Sequence, residues 1–248
     1  MSINLSLEDS IAVVTMDNPS KLNVLSDATM NELHEKLFDI ERRASVLILA
    51  GSGKAFAAGV DVAEIDSRSY EVAHMEDFIN SRWERVFNLQ IPVIAAVSGY
   101  ALGGGFELAL MCDIIVASRK AVFGFPEVNL GIMPGMGGTQ LLTAIVGPKV
   151  ASEIIMTGEF FSAARALELN IVSQITEDDK LMETAVRLAK KIAQKSSMST
   201  RLIKEAIRAA QNQGLTSGMR MERLMFRSLF STDSKKSSVR DFLRKKKR

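Results

Sequence analysis

The stretch IPVIAAVSGYALGGGFELALMCDIIVAS, residues 91–118, reads as strand, glycine turn, helix and strand again. Pro92 stands at the start of the first strand, where its missing N–H costs no ladder bond, and the apolar run that follows suits a strand covered on both faces. The chain then reaches Gly103, Gly104 and Gly105, where the strand hands over to a helix from about Gly104; the next strand begins near Asp113. At such a junction the first N–H groups of the helix lack intrahelical acceptors and add to the positive end of its dipole, so they converge on one spot. An oxyanion fits that spot; a tight turn in which glycine relieves steric conflict is the other reading. GYALGGG does not match G-x-G-x-x-G, and GSGKAF lacks the spacing of a phosphate loop, so neither nucleotide motif applies.

Upstream, IAVVTM (11–16) is β-branched and apolar and ends in the turn residues DNP. Ser26 is a natural N-cap for an amphipathic helix to about Arg43, with Met30, Leu33, Leu37, Phe38 and Ile40 at helical spacing. VLILA (46–50) is a buried strand, and the loop GSGKAFAAGVD (51–61), rich in glycine and alanine, lets backbone approach a ligand closely. A longer helix is expected over about 70–89. Downstream, AVFGFPEVNLGIMPGMGGTQ (121–140) predicts a short strand, a structured loop and a helix from near Gly137. From 149 onward the pattern is mostly helical, with segments near 178–195, 197–213, 217–230 and 235–245 and a break at Gly214 and Gly218. The fold class is therefore α/β, a sheet-rich body followed by helices.

With 248 residues and 47% hydrophobic content the chain buries a large core. Its 31 basic and 29 acidic side chains nearly cancel, so no field of one sign points to nucleic acid or an anionic membrane as partner. No run approaches the roughly 18 apolar residues of a membrane span. The single cysteine, Cys112, excludes an intramolecular disulfide framework, and the two histidines lack companions at metal-ligand spacing, so no metal is expected. The N-terminus shows neither a secretory nor a transit pattern; a reducing, cytoplasmic location fits.

Two glutamates are candidates for proton chemistry. Glu107 sits in apolar surroundings on the first turn of the central helix, and Glu127 lies in the FGFPEVNLG turn. Each alone reads equally as a surface carboxylate or a helix-end charge. Brought together in a dry cleft, two carboxyls acquire split proton affinities, one ionised and one protonated, which suits them to hold and activate one water. Asp61 and Asp113 read as hydrogen-bond acceptors at a turn and a strand end, Cys112 as an inert buried thiol, and His34 and His74 as exposed helix residues. No G-x-S-x-G elbow supports a serine hydrolase. The basic end RDFLRKKKR reads as a solvated helix end that complements its own dipole.

Taken together, KAFAAGVDV (54–62), residues 91–118, FGFPEVNLGIMPGMGGTQ (123–140) and TGEFFSAARALELNIVSQI (157–175) resemble the crotonase, or enoyl-CoA hydratase/isomerase, superfamily in content, order and spacing over nearly the whole chain. The resemblance implies a crotonase-like spiral of ββα units (1–190) and a helical C-terminal region (191–248) for trimer contacts and covering of CoA, commonly in a dimer of trimers. It implies that the backbone N–H groups of Val60 and Gly104 hold the thioester oxygen. Most relatives carry alanine where Val60 stands; a backbone donor survives that change, while the larger side chain narrows the pocket. Glu107 and Glu127 occupy the positions of the two glutamates that hydratases use.

By the same resemblance Lys54, Ala55, Ala57, Ala58, Asp61 and Val62 lie along the CoA and substrate strip, Gly135 lies beside the reacting water and acyl carbons, and Phe242 and Lys245 approach the CoA adenosine. Met75, Trp83 and Met133 are candidate borders of the acyl pocket. The expected activity is hydration of a trans-2-enoyl-CoA, without a cofactor, CoA being part of the substrate. A Δ3,Δ2-enoyl-CoA isomerase is the alternative, and a non-catalytic CoA- or RNA-binding oligomer the second.

Overall fold

The structure, a computed structural model, describes residues 2–80 and 82–245. The chain opens on an antiparallel hairpin of β1 (Ser2–Glu8) and β2 (Ile11–Asp17). Asp9 and Ser10 turn it with φ of 48° and 63°, the mirror-image two-residue turn whose twist matches the flanking strands. β1 is a strand that the apolar pattern did not announce, because Ile3 is its one buried residue and Leu5 and Leu7 stay exposed at the sheet edge. Helix α1 (Asp27–Arg43) begins as expected, with Ser26 Oγ accepting from the Thr29 N–H at 3.3 Å. Met30, Leu33, Leu37 and Ile40 are buried, but Phe38 is half exposed and lies beneath the Arg85 guanidinium, 4.5 Å from its ring centre. His34 is half-buried, not exposed, with Phe38 edge-on at 5.0 Å; His74 is exposed as expected.

The body continues through β3 (Val46–Gly51), β4 (Ala55–Ala57) and the short helices α2 (Val62–Asp66) and α3 (Tyr70–Met75). The long helix expected over 70–89 does not form. It stops at Met75, Asp77 and Ile79 adopt left-handed φ of 48° and 59°, and among the described residues up to 89 a 3-10 turn at Trp83–Arg85 follows. Tertiary contact overrides helical composition here: Phe78 turns inward onto Trp83, 6.2 Å between ring centres. Next come β5 (Val93–Val97), β6 (Tyr100–Leu102), α4 (Gly104–Leu110), β7 (Ile114–Ser118), β8 (Val122–Gly124), α5 (Gly138–Thr157), β9 (Phe160–Ser162), α6 (Ala163–Glu168) and β10 (Gln174–Thr176). Strands β9 and β10 interrupt the run expected to be helical. The C-terminal part is α7 (Leu181–Ala193), α8 (Ser197–Asn212), α9 (Leu215–Ser228) and α10 (Asp233–Lys245); Gly214 caps α9 as a break, whereas Gly218 lies inside it.

The strands form a six-stranded sheet of order β1-β2-β3-β5-β7-β10 and a four-stranded sheet of order β4-β6-β8-β9. Each successive turn of chain places one strand in the larger sheet and the next in the smaller: β3 then β4, β5 then β6, β7 then β8. The last two turns close with α4 and α5, so the body is a spiral of ββα units. The main core lies between the sheets and around α1 and α4, while Leu181, Ala185 and Ala189 of α7 cover Ile48, Ile94 and Val116 on the opposite face of the larger sheet. Cover on both faces explains why β3 and β5 are continuously apolar.

Helices α9 and α10 bury no side chain and α8 buries one, Lys204. Its Nζ donates to Ile91 O at 2.6 Å and pairs with Asp113 Oδ2 at 2.7 Å, and Arg208 meets Asp113 Oδ1 at 3.2 Å. Asp113 also accepts from the Val93 N–H at 2.7 Å, the strand-end role expected of it. Cys112 is buried, and burial pushes its thiol far above the usual range.

Candidate active site

Strands β6 and β8 are parallel neighbours, with Leu102 opposite Gly124, so the segments that leave their C-terminal ends emerge side by side. One carries Gly103 into α4; the other carries Phe125 into the 3-10 turn Pro126–Leu130. Gly103 N–H donates to Gly124 O at 2.9 Å, and Phe106 packs on Phe125 with 4.8 Å between ring centres. Glu107 directly follows the first ring, and Glu127 follows the second by two residues, across Pro126. Aromatic packing thus brings to one place two carboxylates separated in sequence.

Glu107 is buried, and its Oε1 accepts from the N–H groups of Met136 and Gly138, both at 2.7 Å. Burial raises this carboxyl above the usual range, and the amides of Gly138, Met136 and Gly135 offset part of the rise. Glu127 lies beside Gly103: a methyl group on that glycine would stand 3.0 Å from Glu127 Oε1. Glu127 Oε2 is shielded from solvent and, among the described residues, has no hydrogen-bond partner. Burial, helped by the charge of Glu107, lifts the Glu127 carboxyl to about 7.

Two backbone amides face the same space. Leu25 bridges Val60 in parallel fashion, its N–H donating to Gly59 O at 2.7 Å and its carbonyl accepting from Asp61 N–H at 2.8 Å. In a parallel bridge those bonds use the residues on either side, so the N–H of Val60 itself points to the opposite edge. Gly104 is the first residue of α4 and its N–H has no acceptor within the helix. The two meet closely: a methyl on Gly104 would lie 3.5 Å from Val60 N, 2.9 Å from Val60 Cγ2 and 3.9 Å from Glu107 Oε2. Gly103 reaches this arrangement through φ of 51°, a left-handed conformation that glycine adopts without strain.

Val60, Gly103, Gly104, Glu107 and Glu127 border one cavity of about 140 Å3. Ala58, Val62 and Gly135 line it too, as does Met133. Asp61 caps α2 by accepting from the Ala63 N–H at 3.0 Å, the turn role read for it. Ala55 and Ala57 are buried in β4 and Lys54 is exposed at its start, none of them on the cavity wall. Trp83, expected at the acyl pocket, is instead a core residue donating from Nε1 to Asp27 Oδ1 at 3.2 Å. Met75 is 85% exposed and absent from the lining. Phe242 and Lys245 lie exposed on α10 away from the lining, and the last three basic residues fall outside the described residues. Sequence reasoning missed Ile65, Ile79, Leu130 and Ile132, which extend the apolar wall, and the amides of Met136 and Gly138. The PGMGG run hinted at the amides; Ile79 gave no signal because its segment reads as helix.

Among the described residues no group of three or more His, Cys, Asp or Glu is placed to hold a metal, and no helix is long and apolar enough to cross a membrane. Residues 6–248 match the family model described as enoyl-CoA hydratase/isomerase. The chain belongs to the enoyl-CoA hydratase/isomerase family. Similar proteins include a probable enoyl-CoA hydratase of Rhizobium meliloti, 43% identical across 96% of this chain and 93% of that protein. A mitochondrial enoyl-CoA hydratase of Pongo abelii is 38% identical over 96% of this chain and 83% of its own. The crystal structure of an enoyl-CoA hydratase subunit from Geobacillus kaustophilus HTA426 superposes with a TM-score of 0.96 at 42% identity, covering 99% and 96% of the two chains. The family's crotonase-like spiral, with its helical C-terminal region, is therefore the fold of this chain.

Proposed function

We propose that the protein is an enoyl-CoA hydratase, a hydro-lyase that adds water reversibly and in syn fashion across a trans-2-enoyl-CoA to give a 3-hydroxyacyl-CoA. The observation that carries this is the pair of carboxyls facing two free-edged amides across one small apolar cavity. The amides of Val60 and Gly104 receive the thioester oxygen and hold the charge that develops on it as the enolate forms; losing one such donor typically costs about 2.7–4 kcal/mol of barrier lowering. Glu107, fixed through Oε1 by two amides, keeps its other oxygen for the water and takes its proton as it attacks the β-carbon. Glu127, lifted to about 7, holds the proton that passes to the α-carbon. The proton lost by water to Glu107 and the one given up by Glu127 balance, so the pair starts and ends with one proton between them.

All of this is proton transfer and oxyanion stabilisation, which side chains and backbone supply; no metal or redox cofactor enters, and CoA is the carrier of the substrate. Lys54, Ala58, Asp61 and Val62 form the strip along which the thioester enters, carried by β4 with its buried Ala55 and Ala57, and Gly135 lies beside the acyl carbons. The exposed apolar side chains of α9 and α10, among them Leu215, Phe226 and Phe242, supply the contacts of a homotrimer or a dimer of trimers. In that assembly residues 191–248 serve oligomer contacts, and Phe242 and Lys245 approach a CoA. With its one cysteine the enzyme suits the reducing cytoplasm.

The test is incubation of purified protein with crotonyl-CoA. Loss of the conjugated thioester with formation of 3-hydroxybutyryl-CoA supports the assignment. Solvent-deuterium incorporation at the α-carbon with no hydroxyacyl product replaces it with a double-bond isomerase.

A further inference from the structure

Ile79 is a β-branched residue in the left-handed region, with φ of 59°. A side chain branched at Cβ crowds the following carbonyl in this conformation, which is why such residues rarely adopt it. Strain of this kind persists only where the surroundings over-determine it, and it concentrates at ligand sites. Both conditions hold here. The left-handed turn at Asp77, φ of 48°, and the one at Ile79 send consecutive side chains in different directions. Phe78 packs into a polar-tied cluster: Arg68 sits 4.1 Å above its ring, Trp83 meets it edge-on, and Asp27 ties both, accepting from Arg68 at 2.7 Å and from Trp83 Nε1 at 3.2 Å. Glu76 adds a further bond to Arg68 at 3.1 Å. Ile79, anchored by that neighbour, lines the catalytic cavity and brings Cδ1 to 3.5 Å from where a methyl on Gly135 would be.

On the hydratase assignment, we infer that Ile79 is the residue that sets acyl-chain length, held as a wall across the cavity by the Asp27–Arg68–Phe78–Trp83 buttress, and that the substrate class is short-chain enoyl-CoA of about four to six carbons. The size of the space agrees. At about 140 Å3 it compares with the engineered apolar cavity of roughly 150 Å3 that takes up one benzene ring. It is smaller than the roughly 300–1,000 Å3 of pockets that enclose larger ligands. A longer chain has to displace Ile79, and the buttress resists that displacement.

The experiment compares wild type with Ile79→Gly and Ile79→Ala on trans-2-enoyl-CoAs of four, six, eight and ten carbons. Glycine removes the wall and the backbone strain together, and the relieved strain offsets part of the packing that Ile79 loses against the core, so the variant is expected to fold. Wild type is expected to favour four carbons. In Ile79→Gly the kcat/KM for eight carbons relative to four rises about tenfold or more, the scale on which apolar pockets discriminate chain length. Ile79→Ala shifts in the same direction by less. A chain-length profile identical in all three proteins, or a wild type that prefers eight or ten carbons to four, overturns the inference. A wild type that turns over no enoyl-CoA removes the hydratase assignment instead. Calorimetry with butyryl-CoA and octanoyl-CoA then decides: a rise of about tenfold in relative octanoyl-CoA affinity in Ile79→Gly supports the wall, and an unchanged ratio overturns it.

Discussion

The cleft beneath α8, about 460 Å3, and the cavity at Gly104, about 140 Å3, both border a carboxylate, and the two carboxylates stand in opposite circumstances. At the cleft, Asp113 meets Lys204, Arg208 and the Val93 amide, so its charge is answered on every side and the group acts as a fastener between α8 and the sheet. At the cavity, among the described residues, Glu127 faces no cation and its Oε2 has no hydrogen-bond partner. Left unanswered, the carboxyl holds its proton to about 7 and becomes able to give it up or take it back near neutrality. The larger hollow is the more conspicuous landmark, yet chemistry is read from the smaller one, because an unsatisfied titratable group and convergent amides lie there. Size alone mislocates the site.

The contrast breaks most sharply at Glu127. Glu127→Gln should lower crotonyl-CoA hydration by roughly 10²–10⁴-fold while acyl-CoA binding is kept, as for loss of a general acid–base group; a near-normal rate would end the proposed division of labour. Lys204→Met should do the reverse. Removing a buried cation from its partner is expected to cost about 2 kcal/mol, less than a fully severed pair because Arg208 remains. Urea unfolding should show that loss while kcat per folded molecule stays within about twofold of wild type; a large drop in kcat would mean the two regions are not separate.

Acidity sharpens the comparison further. Hydration and dehydration exchange no net proton with solvent, so both directions draw on the same singly protonated pair. With Glu127 near 7, kcat/KM for the two directions should fall together above about pH 7, approaching tenfold per unit. Profiles that diverge, or that stay flat to pH 9, would break the coupling of the carboxyls.

The smallest effect concerns stability. The folded Glu127 value lies above its ordinary 4.5, so the stability linked to its proton is full below about 4.5 and is lost as pH rises through 7. Because glutamine cannot ionise, the Tm of Glu127→Gln should exceed that of wild type by about 2–4 °C more at pH 8 than at pH 4.5. Thermal melts at the two pH values check it, and an equal gap at both denies the linkage.

Much of this was legible in residues 91–140, where apolar runs, glycines and prolines are governed by local rules. Ser26 capped α1 as its chemistry demands, and the helix at Gly104 began where the glycines placed it. The meeting of Glu107 with Glu127 was not legible from the residues themselves, because it depends on the register of β6 against β8 and on Phe106 lying against Phe125. Composition misled over 70–89 for a related reason: side chains with good helix propensity were overruled by what Phe78 gains against Trp83 and Arg68. β1 escaped notice because an edge strand buries little.

The parallel bridge at Leu25 separates two properties that usually travel together. The direction of the Val60 amide is imposed by a neighbouring segment, so position 60 keeps its anchor for the carbonyl whatever side chain it bears, proline excepted. Bulk at that position is then free to vary in evolution or in a designed library, reshaping what fits alongside the thioester without dismantling the grip on it.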